Sequence, residues 1–382
     1  MNKGTMEGES SSSREAKEAK KMPILLSELI IEILLRLPVK SLVRFKCVCK
    51  SWLSLLSDPY FAISHFQRLT AASTARLLLI APPNPGIRSI DFNASLHDDS
   101  AMYTLNLDFL SPNDYSDFRI VGSCRGFLLL NSYQSLWVWN PSTGVHRKLP
   151  STLIESNFKT FLLGFGYDPS ADDYLVVKAS SYDNPMRGFD KATNRVEFFS
   201  LKTNVWRDVE ANNLSYVNYN DDIKGGALLN GAIHWFAFPS DVRHGVIVVF
   251  DLTGRSLSEM LLPDELLDHY DLDTCELLVL GDLLSISFLE MDRSVEIWMM
   301  EEYGVESSWT LTIVVSAEDI PADRFFFPIC YTRGGDIFGT DASTGLAKYN
   351  DMGELQEHRS YCNRRDAFEV AVYTESLFSF PM

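Results

Sequence analysis

The sequence predicts an α+β multidomain chain, with a small all-α module at its N-terminus followed by an all-β domain built as a propeller of about six blades. Three observations carry this. The hydrophobic period changes near residue 71 from a helical repeat to short alternating runs of Val, Ile, Leu, Phe, Tyr and Trp. A phrase of apolar strand and polar turn recurs through the second part. Fewer than fifty residues of short helices in the first part carry more apolar surface than they can bury among themselves.

The helical module spans 23–70. Its first segment places Glu28, Glu32 and Arg36 on one face, behind Ser27 as a candidate cap, and everything else is apolar. Leu25, Leu29, Ile33 and Leu37 form one stripe and Leu26, Ile30 and Leu34 the next, wide enough to require two packing partners. Pro38 ends that helix. A second helix is predicted from Leu42 to about Val48 with Ser41 as its cap, a third from about Ser51 to Ser57, and a fourth over Phe61 to Leu69. The basic Lys40, Arg44 and Lys50 are expected at the surface.

The β-domain spans 71–382. Its repeating phrase is LWVWNPSTG (136–144), VEFFSLKTN (196–204), VIVVFDLTG (246–254), VEIWMMEEYG (295–304) and LAKYNDMG (346–353). Aligning Asn140, Ser200, Asp251, Met299 and Asn350 gives steps of 60, 51, 48 and 51 residues. Glycine-started strands precede the phrase at Gly126, Gly231, Gly281 and Gly335. Kelch units of about 50 residues each form one four-stranded blade that must stack on its neighbours, so the domain reads as a kelch-like β-propeller. Trp139, Trp206, Trp235, Trp298 and Trp309 are expected as blade-packing aromatics, and His234 as a satisfied inner-face histidine. The first segment (76–83 and 102–109) fits less well and leaves a β-sandwich or an irregular propeller open. The final strand, 368–378, is predicted to close the ring on the first blade.

Charge and composition narrow the function classes. The chain has 382 residues, is 46% hydrophobic and carries a net charge of −17. Residues 1–70 are net positive and the β-domain is strongly acidic, which disfavours a phosphate backbone and points to a basic target protein. Residues 1–22 are polar and rich in Ser, Glu and Lys, with no apolar core of a signal peptide, and read as a disordered tail. No apolar run is long enough for a bilayer. No membrane association is therefore expected, and the chain is placed in the cytoplasm, the nucleus or both. The six cysteines are scattered, suggesting neither disulfides nor zinc. Among 264–274, the run His269-Tyr-Asp271-Leu-Asp273 reads as a solvated acidic loop rather than a metal cluster. No GxSxG, Walker loop, HExxH or GxGxxG motif is present, so the reading is a non-catalytic protein with no cofactor.

The run LLSELIIEILLRLPVKSLVRFKCVCKSWLSLLSDPYF (25–61) resembles the F-box. Its wording RLPVKSLVRFKCVCKSW followed by DPYF is similar to plant F-box proteins with an F-box-associated interaction or kelch-like C-terminal region. That resemblance implies a Skp-family adaptor as partner and, through it, a cullin scaffold, making the chain a substrate-recognition subunit of an SCF-type ubiquitin ligase. It also implies that Leu25, Leu29, Ile33, Leu37, Pro38, Leu42, Val48 and Trp52 either hold the helices together or press into the adaptor. The chain departs from the family at Leu25-Leu26, where Leu-Pro is usual, which leaves the helix entry less rigid. The target protein is unspecified; its reading is expected from loops 84–101, 110–117, 183–194, 211–224, 239–245 and 264–274. Two other readings remain, a carbohydrate-binding F-box receptor and a propeller hydrolase or lyase tethered by an F-box.

Overall fold

The computed structural model describes residues 27–380 except 72–74, 81–86, 92, 111–117, 133–134, 152–157, 183–193, 210–215, 218–222, 240–244, 270–274, 291–293, 317–325, 333, 342–344 and 362–368. Four helices come first: α1 (Ser27–Leu34), α2 (Val39–Phe45), α3 (Lys50–Leu56) and α4 (Pro59–Ala71). Pro38 sits at the N-cap of α2 with φ −58° and ψ 146°, so α2 starts three residues before the predicted Leu42, and Ser41 lies inside it rather than capping it. The proline's fixed φ suits a helix entry, which explains the shift. Asp58 caps α4 through its side chain, accepting from Tyr60 N at 2.7 Å.

Six sheets follow, antiparallel but for one short parallel pair, and form a six-bladed β-propeller. Blade one comprises β1 (Ala75–Ile80), β2 (Ile87–Asp91) and β3 (Met102–Leu105), and blade two β4 (Arg119–Cys124), β5 (Phe127–Ser132), β6 (Ser135–Trp139) and β7 (His146–Lys148). Blade three holds β8 (Phe158–Asp168), β9 (Asp173–Tyr182), β10 (Asn194–Ser200) and β11 (Val205–Asp208). Blade four is irregular: β12 (Tyr216–Val217), β13 (Lys224–Gly225), β14 (Ala227–Leu229), β15 (Ala232–Pro239), β16 (Val246–Asp251) and β17 (Ser256–Met260). Here β13 leaves its own blade and pairs in parallel with β8 of blade three. Blade five is β18 (Glu276–Leu280), β19 (Leu283–Leu289), β20 (Ser294–Met300) and β21 (Trp309–Ser316); blade six is β22 (Phe327–Tyr331), β23 (Ile337–Thr340), β24 (Gly345–Tyr349) and β25 (Leu355–Ser360).

The ring closes as predicted. β26 (Glu369–Thr374) pairs antiparallel with β1, Arg76 opposite Tyr373 and Leu78 opposite Ala371, and supplies blade one with its inner strand. The strand ends at Thr374 rather than continuing to 378. Beyond it the backbone leaves the ladder because Ser376 N donates to Ser142 Oγ (3.2 Å), while Asn140 Nδ2 donates to the carbonyls of Ser376 (3.3 Å) and Phe378 (3.1 Å). Residues 375–380 thus form a strap across blade two.

The repeat has a physical cause. Asn140, Asp251 and Asn350 each accept at Oδ1 from backbone N–H groups two to four residues on, closing the turn that follows the third strand of a blade. In blade five the equivalent position is Glu301, whose N–H bonds Ser308 O as Asn350 N bonds Glu354 O. Met299 therefore lies two residues short of the true repeat position. The glycines that start strands are hairpin glycines: Gly126, Gly231, Gly281 and Gly335 all have positive φ. At Arg125-Gly126 and Asn230-Gly231 both central residues are positive, the combination that matches the twist of a two-residue hairpin.

Blade faces pack through Trp139, Trp235 and Trp309, all buried, whereas Trp206 on the outer strand β11 and Trp298 on β20 are half-buried. His234 is fully buried, donates from Nδ1 to the Ala227 carbonyl (3.1 Å) and accepts at Nε2 from the Tyr303 hydroxyl (2.8 Å). Residues 264–269 form a short helix, α5, with Leu266 buried, where the sequence reading expected a loop. The acidic residues mask an apolar anchor there. Residues 270–274, including Asp271 and Asp273, lie outside the described residues.

Candidate functional site

The helices and the propeller share one apolar cluster, which runs from Leu34, Val39, Leu42, Leu56, Phe61 and Ala62 through Val121, Phe127, Phe165 and Tyr174 to Leu377 and Phe378. The wide apolar face of α1 is therefore divided. Ile30, Ile31 and Leu34 turn inward to this cluster, while Leu29 and Ile33, four residues apart, are each 52% exposed. Glu32, between them, holds Arg36 at 3.6 Å and Arg68 of α4 at 3.3 Å, fixing α1 against α4.

The predicted contact residues fall into three groups. Leu29, Ile33, Pro38 and Val48 (60%) are exposed. Leu37 and Trp52 are half-buried; the Leu37 carbonyl accepts from His65 Nε2 at 2.8 Å, and Trp52 lies 5.5 Å from Phe45, ring to ring. Leu42 is fully buried and holds the module together, leaving it no outward surface. Leu25, like Pro23 and Leu26, lies outside the described residues. The structure adds Leu53, Tyr60 (81% exposed) and Ile63, apolar side chains on α3 and α4 that sequence reasoning did not single out. Their signal is an apolar residue that breaks the inward stripe of its own helix. Arg44 and Lys50 are exposed, whereas Lys40 is exposed yet packs its ammonium 4.4 Å from the Tyr103 ring of β3. Burial lowers the pKa of Lys46 and of His65, and the Nδ1 of His65 has no hydrogen-bond partner.

The strap completes the seat of α4. Phe66 and Phe378 pack at 5.1 Å, Arg125 lies over Phe378 at 4.8 Å and over Tyr167 at 3.8 Å, and Arg147 lies over Phe380 at 4.4 Å. The inner strands β4 and β26 end at this face. Their opposite ends open on the far mouth of the propeller.

That mouth is charged. Arg119 at the start of β4 donates to Glu369 at the start of β26 (2.9 Å), and Glu369 also accepts from Ile120 N (3.0 Å). Burial raises the pKa of Glu369 while the Ile120 N–H and Arg119 oppose the rise. Glu276 stands at the start of β18 and is exposed. Among the described residues no three His, Cys, Asp or Glu side chains converge as a metal centre, and the five described cysteines are free thiols. All six loops expected to read the target lie partly outside the described residues.

Comparison with known proteins agrees with this architecture. Residues 23–64 match the F-box domain, and residues 79–348 match the F-box associated beta propeller domain. An F-box/kelch-repeat protein of Arabidopsis thaliana is 30% identical over 339 residues, covering 85% of this chain and 86% of that protein. The F-box protein CPR1 of the same plant is 27% identical over 335 residues, covering 82% and 78%. Among solved structures, the Aleuria aurantia lectin aligns with a TM-score of 0.41 and 9% identity over 77% of this chain and 97% of that one. With an F-box motif and the associated propeller matched along most of its length, the chain belongs to the F-box proteins that carry an F-box associated β-propeller.

Proposed function

We propose that the chain is the substrate-recognition subunit of an SCF-type ubiquitin ligase, holding a Skp-family adaptor through its helices and a target protein through its propeller. The observation that carries this reading is the division of α1: its inner side belongs to the propeller's own core, while Leu29 and Ile33 face outward on a helix that the propeller immobilises. Pro38 and Val48 extend the same type of surface, and Leu53 supplies a further exposed apolar group on α3. An exposed apolar set on rigid helices is what a dry interface with a few central anchors requires. Bond making then belongs to other subunits, and this chain supplies proximity between target lysines and the loaded enzyme.

Because the helices dock at the face where inner strands end, they do not occupy the far mouth, where the target would be held. A cullin scaffold joined through the adaptor would lie on the opposite side of the chain from a target held there. The test is association of the purified full chain with a Skp-family adaptor by calorimetry. Leu29→Asp with Ile33→Asp is expected to weaken binding at least about a hundredfold, since two central anchors are each worth about 2 kcal/mol or more. Retained affinity in the doubly substituted chain, with unchanged thermal unfolding, would overturn the reading.

A further inference from the structure

We propose that the cleft between blades one and six binds an oxyanion, a phosphate monoester or its inorganic parent. The cleft has a volume of about 300 Å³ and is lined by Arg88, Asp99, Met102, Tyr103, Thr104 and Arg359. That is at the small end of ligand sites and suits one compact group.

Its charge runs against the rest of the molecule. The chain is net −17, yet two guanidinium groups converge here on the Tyr361 ring, Arg88 at 5.7 Å and Arg359 at 5.1 Å. Arg359 is oriented by its neighbours, donating to the Leu96 carbonyl (2.7 Å) and to Asp99 Oδ1 (2.7 Å). The nearby Glu357 is engaged by Ser95 Oγ (2.8 Å) and Leu96 N (2.7 Å). Arg88 has no such partner: its guanidinium makes no hydrogen bond or ion pair with any described residue.

Position adds to this. Arg88 stands directly across the β2–β3 ladder from Thr104, so an exposed hydroxyl shares the sheet face with the free guanidinium. The Tyr361 ring lies beside the Arg88 guanidinium and, its face being no hydrogen-bond acceptor for the whole fork, leaves N–H donors at the edge for a ligand. An oxyanion seated between Arg88, Arg359 and Thr104 takes bidentate donation from a planar fork, which arginine matches and lysine does not. Asp99, mostly exposed, turns its charge to Arg359 and sets the limit on how much negative charge the cleft accepts.

The site goes beyond the ligase reading and does not depend on it, because neither the adaptor-facing helices nor the propeller mouth contributes a residue. Two sources share the chemistry, a free phosphate compound and a phosphoserine side chain on a peptide. Calorimetry on the full chain distinguishes them, using inorganic phosphate, a short phosphoserine peptide and the same peptide unphosphorylated. Equal affinity for phosphate and phosphopeptide assigns a free anion; tighter binding of the phosphopeptide, with none of the unmodified one, assigns a modified protein segment. Arg88→Gln is expected to weaken either at least about tenfold, Arg88→Lys to recover part of that, and Thr104→Ala to weaken it severalfold. Should Arg88→Gln not fold, the exposed Thr104→Ala decides alone. Absence of binding by both anionic probes, or binding that none of these substitutions changes, would overturn the proposal.

Discussion

The ring of Phe66 on α4 lies 5.1 Å from the ring of Phe378 on the strap, and through this pair the first helical module of the chain is seated on its last described segment. Each side chain belongs to the apolar cluster common to helices and propeller. Phe378→Ala is expected to destabilise the folded chain by about 3 kcal/mol, the scale of a truncated buried aromatic. A double-mutant cycle with Phe66→Ala, followed by denaturant unfolding, should return a coupling of about 1 kcal/mol. Hydrogen exchange in α4 should rise in both single variants.

Gly126 and Gly144 both have positive φ, 83° and 76°, but their surroundings differ. A Cβ on Gly126 would collide with Ser376 and the Thr374 carbonyl, whereas one on Gly144 would meet open space. Gly144→Ala should cost only the backbone strain, about 1 kcal/mol. Gly126→Ala should cost clearly more, because the strap must move away from blade two. Thermal unfolding of the two variants side by side measures the difference.

Asp168 and Arg255 tie blade three to blade four. Arg255 donates to Asp168 Oδ2 at 2.7 Å, and Ser170 donates to Oδ1 from both its N–H (2.8 Å) and its hydroxyl (2.7 Å). Burial alone would raise this carboxyl, but Ser170 and Arg255 outweigh it and hold the pKa down to about 2. The stabilisation is therefore present above about pH 3.8 and is lost as pH falls through about 2. Asp168→Asn should cost about 3 kcal/mol at neutral pH by leaving Arg255 unpaired, and should remove this part of the acid limb. Denaturant unfolding between pH 7 and the acid transition tests both statements.

His234 sits neutral in its two hydrogen bonds, and burial pushes its pKa below the usual 6.5. The unfolded chain takes up the proton first as pH falls, so stability from this residue is complete above about pH 6.5 and is lost as pH falls through the lower folded value. Unfolding free energy measured from pH 7.5 to 5 should fall less steeply in His234→Gln than in the unaltered chain. A remaining slope is expected from His65, which burial shifts in the same direction.

Much of this architecture was legible because its signals are local. The turn acceptors Asn140, Asp251 and Asn350 and the hairpin glycines act within four residues of themselves, so their spacing exposes the blades directly. The greasy α1 was equally plain, but not which of its stripes turns outward: that depends on where the propeller surface lies, a contact between Phe66 and Phe378 separated by most of the chain. Leu42 shows the consequence: the resemblance left it as either a residue that holds the helices together or one that meets the adaptor, and its place is the core. The cleft at Arg88 was hidden for a related reason. A single unpaired arginine is recognisable only when one knows that Asp99 and Glu357 are already engaged elsewhere.

Ring closure by β26 also sets an order of events. This strand follows every other described strand in the chain, so during synthesis blade one waits with β1 lacking its inner neighbour until residues 369–374 have emerged. The strap that receives α4 arrives immediately afterwards. A nascent or prematurely stopped chain thus has an unsealed sheet edge and a helical module lacking its strap contacts at the same time, a state suited to capture by chaperones or proteases. Joining ring closure and helix seating in one segment lets a single late folding step complete both the ring and the seat of α4.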